Sequence, residues 1–189
     1  NDPLTRGQIA QILYNYYGED RGTDSGFSDV SSSAWYAKAV AWASREKIVR
    51  GYPDGTFRPN APLTREQMVT VLYNLADRPD VDGSVLTHFR DCTQVADYTA
   101  DSFAWALSNK IISGTDTDTL SPRGIATRAQ TAVILVRYLE CVEGVRFPDV
   151  TVPTQPEPSE LPSVGKLSDY PTSGDASAPN ANGFCTKAN

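Results

Sequence analysis

The sequence is poor in the side chains that carry most enzyme and metal chemistry. It has a single histidine, His88, and only three cysteines, Cys92, Cys141 and Cys185, spread along 189 residues. A Cys/His zinc site needs four closely grouped ligands and a nucleophile triad needs a positioned base, so both a metalloenzyme and a His-based triad are disfavoured. No cofactor and no catalytic role are expected. Positive charge is also short: 17 Lys and Arg stand against 23 Asp and Glu, a formal net charge of -6. Nucleic acid is therefore not the expected partner, because phosphate binding needs clustered cations, and any anionic ligand must be met locally. No run approaches the roughly 18 apolar residues of a membrane span, and Asn1-Asp2-Pro3 lacks the regions of a signal peptide, so membrane insertion is not expected.

What remains is an apolar fraction of 40%, ordinary for a globular chain, which predicts one domain with a modest core plus a tail. The chain repeats itself. Ala41-Trp42-Ala43 and Lys47-Ile48-Val49-Arg50-Gly51 return 63 positions later as Ala104-Trp105-Ala106 and Lys110-Ile111-Ile112-Ser113-Gly114. The same spacing carries Thr64-Arg65 onto Thr127-Arg128. In the other direction, Asn60 to Gln67 (NAPLTREQ) matches Asn1 to Gln8 (NDPLTRGQ) at a spacing of 59. A Phe-x-Asp opens each unit, at Phe27, Phe89 and Phe147. These registers divide the chain into the second half of a first repeat (residues 1–26), a second repeat (27–86), a third (87–146) and a tail (147–189). The tail is rich in Pro, Ser, Thr, Gly and Asn, with too few large apolar side chains to form a core.

Each unit reads as helix, loop, helix. Trp35 to Ile48 carries small residues at helical spacing, Gly51 is placed to stop that helix, and Asp54-Gly55 favours a tight reversal. A second helix runs from about Arg65 to Ala76, burying Met68, Val69, Val71, Leu72 and Leu75. The expected fold is all-α.

The recurrent candidate for chemistry is Thr-Arg-x-Gln, at Thr5 to Gln8, Thr64 to Gln67 and Thr127 to Gln130. Thr and Gln three apart have the spacing of a capping box. Capping leaves the arginine unexplained, since a cation in the first turn meets the positive end of the helix dipole. Two explanations stand side by side. Arg6, Arg65 and Arg128 each grip an anionic ligand with a planar fork, or each pairs internally with a carboxylate such as Asp29 or Asp91, which recur in the same register.

Phe27-Ser28-Asp29-Val30, Trp35-Tyr36, Ala39-Val40, Gly51 to Pro59 (GYPDGTFRP) and Leu63-Thr64-Arg65 together resemble the surface-layer-homology (SLH) repeat of bacterial cell-surface proteins. The resemblance covers about residues 1–145. It implies a pseudo-threefold bundle, extracellular at the cell wall or S-layer, whose inter-repeat grooves bind secondary cell-wall polysaccharide, often through a pyruvylated sugar. It also implies that Arg6, Arg65 and Arg128 contact that sugar. Asp29, Trp35, Gly51, Tyr52, Asp54 and Gly55 are groove candidates on the same ground. Each keeps a plainer role: glycines for positive φ, Asp54 for the turn, Trp35 for the core.

The sequence departs from the family in ending all three motifs with Gln rather than Glu. The third unit is eroded, with Thr115 for Tyr52, Asp118 for Gly55, Leu120 for Phe57 and Tyr98 for Trp35. The groove around Arg65 is thus expected to lead, with the first site incomplete and the third divergent. Asp116 and Asp118 faintly suggest a calcium loop, but the other ligands of an EF-hand are missing. Cys92 and Cys141 are placed for a possible disulfide in a surface protein, leaving Cys185 over. The function expected is non-catalytic anchoring. The alternative is self-assembly into a lattice or filament, with the tail docking on a neighbour.

Overall fold

The computed structural model describes residues 2–146; the tail, its opening Phe147 and Cys185 lie outside the described residues. Five α-helices carry the architecture: α1 (Arg6–Tyr17), α2 (Ala37–Arg45), α3 (Arg65–Leu75), α4 (Ala100–Ser108) and α5 (Arg128–Val142). Short 3-10 turns, Gly83–His88, Cys92–Gln94 and Asp97–Thr99, lead into α4. No strand occurs among the described residues, so the fold is all-α as expected.

α1, α3 and α5 start alike because their sequences do. In each, the Thr hydroxyl accepts from the Gln amide three residues on, at 3.3, 3.3 and 3.2 Å, and the Gln Oε1 accepts from the Thr amide at 2.9, 3.3 and 3.2 Å. Both orphan donors of each helix end are thereby satisfied. The residues just before these helices meet around one axis. The Leu4 amide donates to the Ala126 carbonyl (3.0 Å), Ala126 to Leu63 (2.8 Å) and Leu63 back to Leu4 (2.8 Å), which closes a triangle of three backbone bonds. A second set of three backbone bonds links the same segments: the Arg6 amide donates to Ala61, Arg65 to Gly124 and Arg128 to Asp2, at 3.1, 2.8 and 3.0 Å. The donor and acceptor positions are related by the same 59- and 63-residue spacings found in the sequence. The pseudo-threefold axis is therefore written in main-chain hydrogen bonds.

Around this hub α2 packs on α1 and α4 on α3. The small-residue faces of α2 and α4 allow close approach: Ala37, Ala39, Val40, Ala41 and Ala43 are buried, as are Ala104 and Ala106. Trp42 meets Tyr14 edge-on at 5.9 Å, and Trp105 meets Tyr73 at 5.6 Å. One continuous core results, with Ile9, Met68, Leu72, Phe57, Phe103, Ile111, Leu120 and Tyr138 nearly inaccessible. Burial pushes the Tyr138 hydroxyl up to about 12.

The ends of the first helices differ from expectation. α2 spans Ala37–Arg45 rather than reaching Ile48, and the reversal is made by Lys47 at φ 58°, repeated by Lys110 at φ 57°. Gly51 does not stop the helix. It is required further on, where an added Cβ would lie 2.2 Å from the Phe27 ring and 2.8 Å from the Thr56 carbonyl. Leu75, expected in the core, is only partly buried. Cys92 and Cys141 are free thiols, so the proposed pairing is absent here; the Cys141 sulfur lies 3.7 Å from Asn109 Oδ1.

Candidate functional site

Each arginine of the Thr-Arg-x-Gln motif lies one position beyond a cap that fixes its backbone, so its side chain leaves the hub at a set angle. For Arg6 and Arg65 that direction crosses to the loop of the following unit. Arg6 donates Nε to the Phe57 carbonyl at 2.8 Å and Nη2 to the Arg50 carbonyl at 2.8 Å. Arg65 repeats this with Leu120 at 2.9 Å and Ser113 at 3.1 Å. Both guanidinium groups are deeply placed, with the residues 7% and 8% exposed, and burial lowers both below the ordinary arginine value. They stay charged at any ordinary pH.

Neither arginine forms an ion pair with Asp29 or Asp91 among the described residues. Those carboxylates are occupied. Asp29 accepts from the amides of Phe57 and Arg58, both at 2.7 Å, and Asp91 from Leu120 and Ser121, both at 2.8 Å. Arg58 and Ser121 are left-handed at φ 58° and 51°, which turns two successive amides inward as a nest that a carboxylate fills. Asp29 thus holds the loop whose carbonyls hold Arg6. Carbonyls satisfy only two faces of a guanidinium and neutralise none of its charge. Nη1 of Arg6 and of Arg65 has no protein partner among the described residues, and both residues line clefts.

The first cleft encloses about 510 Å³ between the Gly51-Tyr52-Pro53 loop, one side of α3 and the start of α4. Arg6 lies at its base, 5.1 Å from the centre of the Tyr52 ring and 4.5 Å from that of Phe57. Arg58 lies 4.0 Å from the centre of the Tyr52 ring, so two cations approach it. Gln67 Nε2 donates to the Tyr52 hydroxyl at 3.3 Å. Its Oε1 caps α3 while its NH2 reaches the cleft, a division of labour that a Glu could not perform. Tyr98, 74% exposed, and Asp101 also line this cleft.

The second cleft, about 410 Å³, is Arg65 with Ser113, Gly114, Thr115, Gln130 and Arg137. Thr115 stands where Tyr52 does in the first, so this cleft has no aromatic edge on its loop side, and Arg137 stands where the first has Asn74. Arg128, the third of the set, is exposed and makes no side-chain hydrogen bond among the described residues.

The structure distributes the sequence candidates differently from their order in the chain. Gly51 and Tyr52 belong with Arg6, not Arg65, because the arginine of one unit reaches the loop of the next; the Arg6 cleft is accordingly the fuller one. Asp54 and Gly55 form the turn outside this cleft. The Asp54 carboxylate takes the Thr56 hydroxyl (2.6 Å), the Arg58 guanidinium (2.8 Å) and the Thr56 amide (3.0 Å), contacts that hold it down at about 2. Gly55 has φ 78° and accepts from the Ser28 amide at 3.1 Å. Trp35 is 62% exposed, edge-on to Tyr36, and lines neither cleft. Tyr98, Gln67 and Arg137 are among the lining residues that the sequence did not single out. The signal for Tyr98 was present in the 63-residue spacing from Trp35.

Among the described residues no group of His, Cys, Asp and Glu is placed to hold a metal ion, and no helix is long and apolar enough to cross a membrane. The S-layer homology domain model matches residues 26–69 and 88–132. The chain is 32% identical over 142 residues to the exoglucanase XynX of Acetivibrio thermocellus, covering 72% of this chain and 13% of that protein. It is 29% identical over 146 residues to a cellulosome-anchoring protein of the same species, covering 72% of this chain and 32% of the relative. With the surface-layer 125 kDa protein of Lysinibacillus sphaericus it shares 28% over 144 residues, 74% of this chain and 12% of the relative. The chain thus spans at most about a third of each of these relatives.

Proposed function

On the premise that the chain is an S-layer homology domain protein, we propose that it is a non-catalytic anchor, binding an anionic and pyruvylated secondary cell-wall polysaccharide at the bacterial cell surface through the Arg6 and Arg65 clefts. The observation that carries this reading is the state of the two arginines. Each is buried, fixed by carbonyls that leave its charge uncancelled, and retains an unused Nη1 edge in a cleft. A carboxylate on a sugar matches that edge in charge and in geometry. Tyr52 and Tyr98 line the same cleft as Arg6 and supply aromatic surface for a sugar ring, and Gln67 offers polar hydrogens. The relatives whose names denote enzymes are matched over a small part of their length.

The test is binding of the purified chain to wall polysaccharide before and after chemical removal of pyruvyl groups. Binding is expected to fall at least tenfold on removal; equal binding to both forms would overturn the reading. Tyr98→Ala, on an exposed side chain, is expected to weaken binding while leaving the thermal midpoint within about 1 °C, since surface changes away from special contacts cost little. Arg6→Lys keeps the charge but loses the fork, and is expected to weaken binding about tenfold or more.

A further inference from the structure

A second guanidinium lines the Arg6 cleft. Arg78, just past the end of α3, is held much as Arg6 is: its Nε donates to Asn74 Oδ1 at 2.8 Å and its Nη2 to the Lys47 carbonyl at 3.3 Å. Its sequence neighbours Asp77 and Asp80 form no ion pair with it among the described residues. Nor does Asp101, the one acidic residue among those lining the cleft. The charge of Arg78 is therefore uncancelled at short range, and its Nη1 edge, like that of Arg6, has no protein partner among the described residues.

Placing Arg78 there strains the backbone. Asp77 and Arg78 are both left-handed, at φ 60° and 52°, a conformation that side chains other than glycine adopt at a cost. The Arg78 amide returns to the Tyr73 carbonyl at 3.0 Å. At the 63-residue spacing their counterparts are Glu140 and Cys141, which stay helical because α5 runs on to Val142. α3 stops at Leu75, and the turn that follows brings Arg78 to the cleft.

One short segment sets the distance between the two cations. Arg78 donates to the Lys47 carbonyl, Asn74 Nδ2 to the Ile48 carbonyl at 3.0 Å, and Arg6 Nη2 to the Arg50 carbonyl. Lys47 and Arg50 are three residues apart, a span of at most about 11 Å, so the two forks open on the cleft within roughly that reach of each other. Two uncancelled cations on one cleft repel, and a ligand with two negative groups relieves both.

We propose that Arg78 forms a second anion subsite in the Arg6 cleft, so that this cleft reads a pair of anionic groups, carboxylate or phosphate, on one glycan segment. The pair of cations stands on geometry; that the ligand is a glycan rests on the anchoring reading above. The Arg65 cleft lacks the same pairing. Cys141 occupies the register of Arg78, and Arg137, at that of Asn74, is exposed and makes no side-chain hydrogen bond among the described residues.

The test uses the 189-residue chain and two kinds of probe. Linear dicarboxylates from adipate to sebacate are titrated beside hexanoate and decanoate, with the Nε–H resonances of Arg6 and Arg78 followed by NMR. One dicarboxylate is expected to shift both resonances and to bind about fivefold tighter, or more, than the monocarboxylates. Arg78→Gln removes that gain. Asp101→Asn increases it, and leaves Arg78 in place should Arg78→Gln lose its fold. No gain at any length, a gain that survives Arg78→Gln, or an Arg78 resonance that never moves would overturn the proposal. Wall polysaccharide is the second probe, and Arg78→Gln is expected to weaken its binding about tenfold. A loss confined to the intact glycan assigns the second anion to a pyruvyl carboxylate; a loss that persists after removal of pyruvyl groups assigns it to another anion such as phosphate. Unchanged glycan affinity in Arg78→Gln would overturn the subsite. A glycan that binds no form of the chain would defeat the anchoring reading and leave the dicarboxylate comparison to decide the subsite.

Discussion

At the scale of single residues, Arg6 and Arg65 are held by main-chain carbonyls and Asp29 and Asp91 by main-chain amides, so charged groups of opposite sign sit near one another without pairing. Asp91 is the more consequential of the two aspartates, because it is buried while Asp29 is exposed. Asp91→Ala strands the Leu120 and Ser121 amides and is expected to cost about 2–3 kcal/mol, with Asp29→Ala costing less; urea unfolding of both variants measures the difference. The sequence marked Arg6 and Arg65 clearly, since a cation repeated in the first turn opposes the dipole and demands a reason. It could not mark what Asp29 does. Backbone amides have no letter in a sequence, so a carboxylate that binds them looks the same as one that binds a ligand or an arginine. Tyr98 was legible as a register position but read as erosion of Trp35; only its place in the Arg6 cleft shows it to be a lining residue.

Among the elements, the second helices of the units were readable almost to the residue, because the capping box states their start and apolar spacing states their face. The first helices were over-extended, since the residue that ends them is a lysine. Lys47 and Lys110 take the left-handed conformation that usually falls to glycine or asparagine. The strain is tolerated because Ile48 and Ile111, one residue later, must enter the core: their amides return to the Ala43 and Ala106 carbonyls, both at 2.9 Å. Lys47→Gly relieves that strain and is expected to leave stability unchanged or raise it by up to about 1 kcal/mol, whereas Lys47→Val lowers it; thermal unfolding followed by circular dichroism distinguishes the two.

For the molecule as a whole, the threefold plan was visible as spacings of 59 and 63, and the structure converts those spacings into the triangle of Leu4, Leu63 and Ala126. Which arginine serves which loop was not visible, because it depends on how successive units wind about the axis and not on their order along the chain. Removing one side of the triangle should be felt everywhere. Ala126→Pro deletes the amide that binds the Leu63 carbonyl and is expected to cost about 1–3 kcal/mol, with tryptophan fluorescence and circular dichroism still reporting one coincident transition. Separate transitions would show the units to be independent.

The same triangle bears on how such a molecule behaves under tension. On the anchoring proposed above, tension runs between a glycan in the clefts and the chain beyond residue 146, and that load enters through α5. Ala126, just ahead of α5, is bonded both to Leu4 and to Leu63, and those two are bonded to each other. Traction on one corner is thereby passed to the other two, and pulling on single molecules is expected to give one rupture of the bundle, where stepwise release would show the units to yield separately.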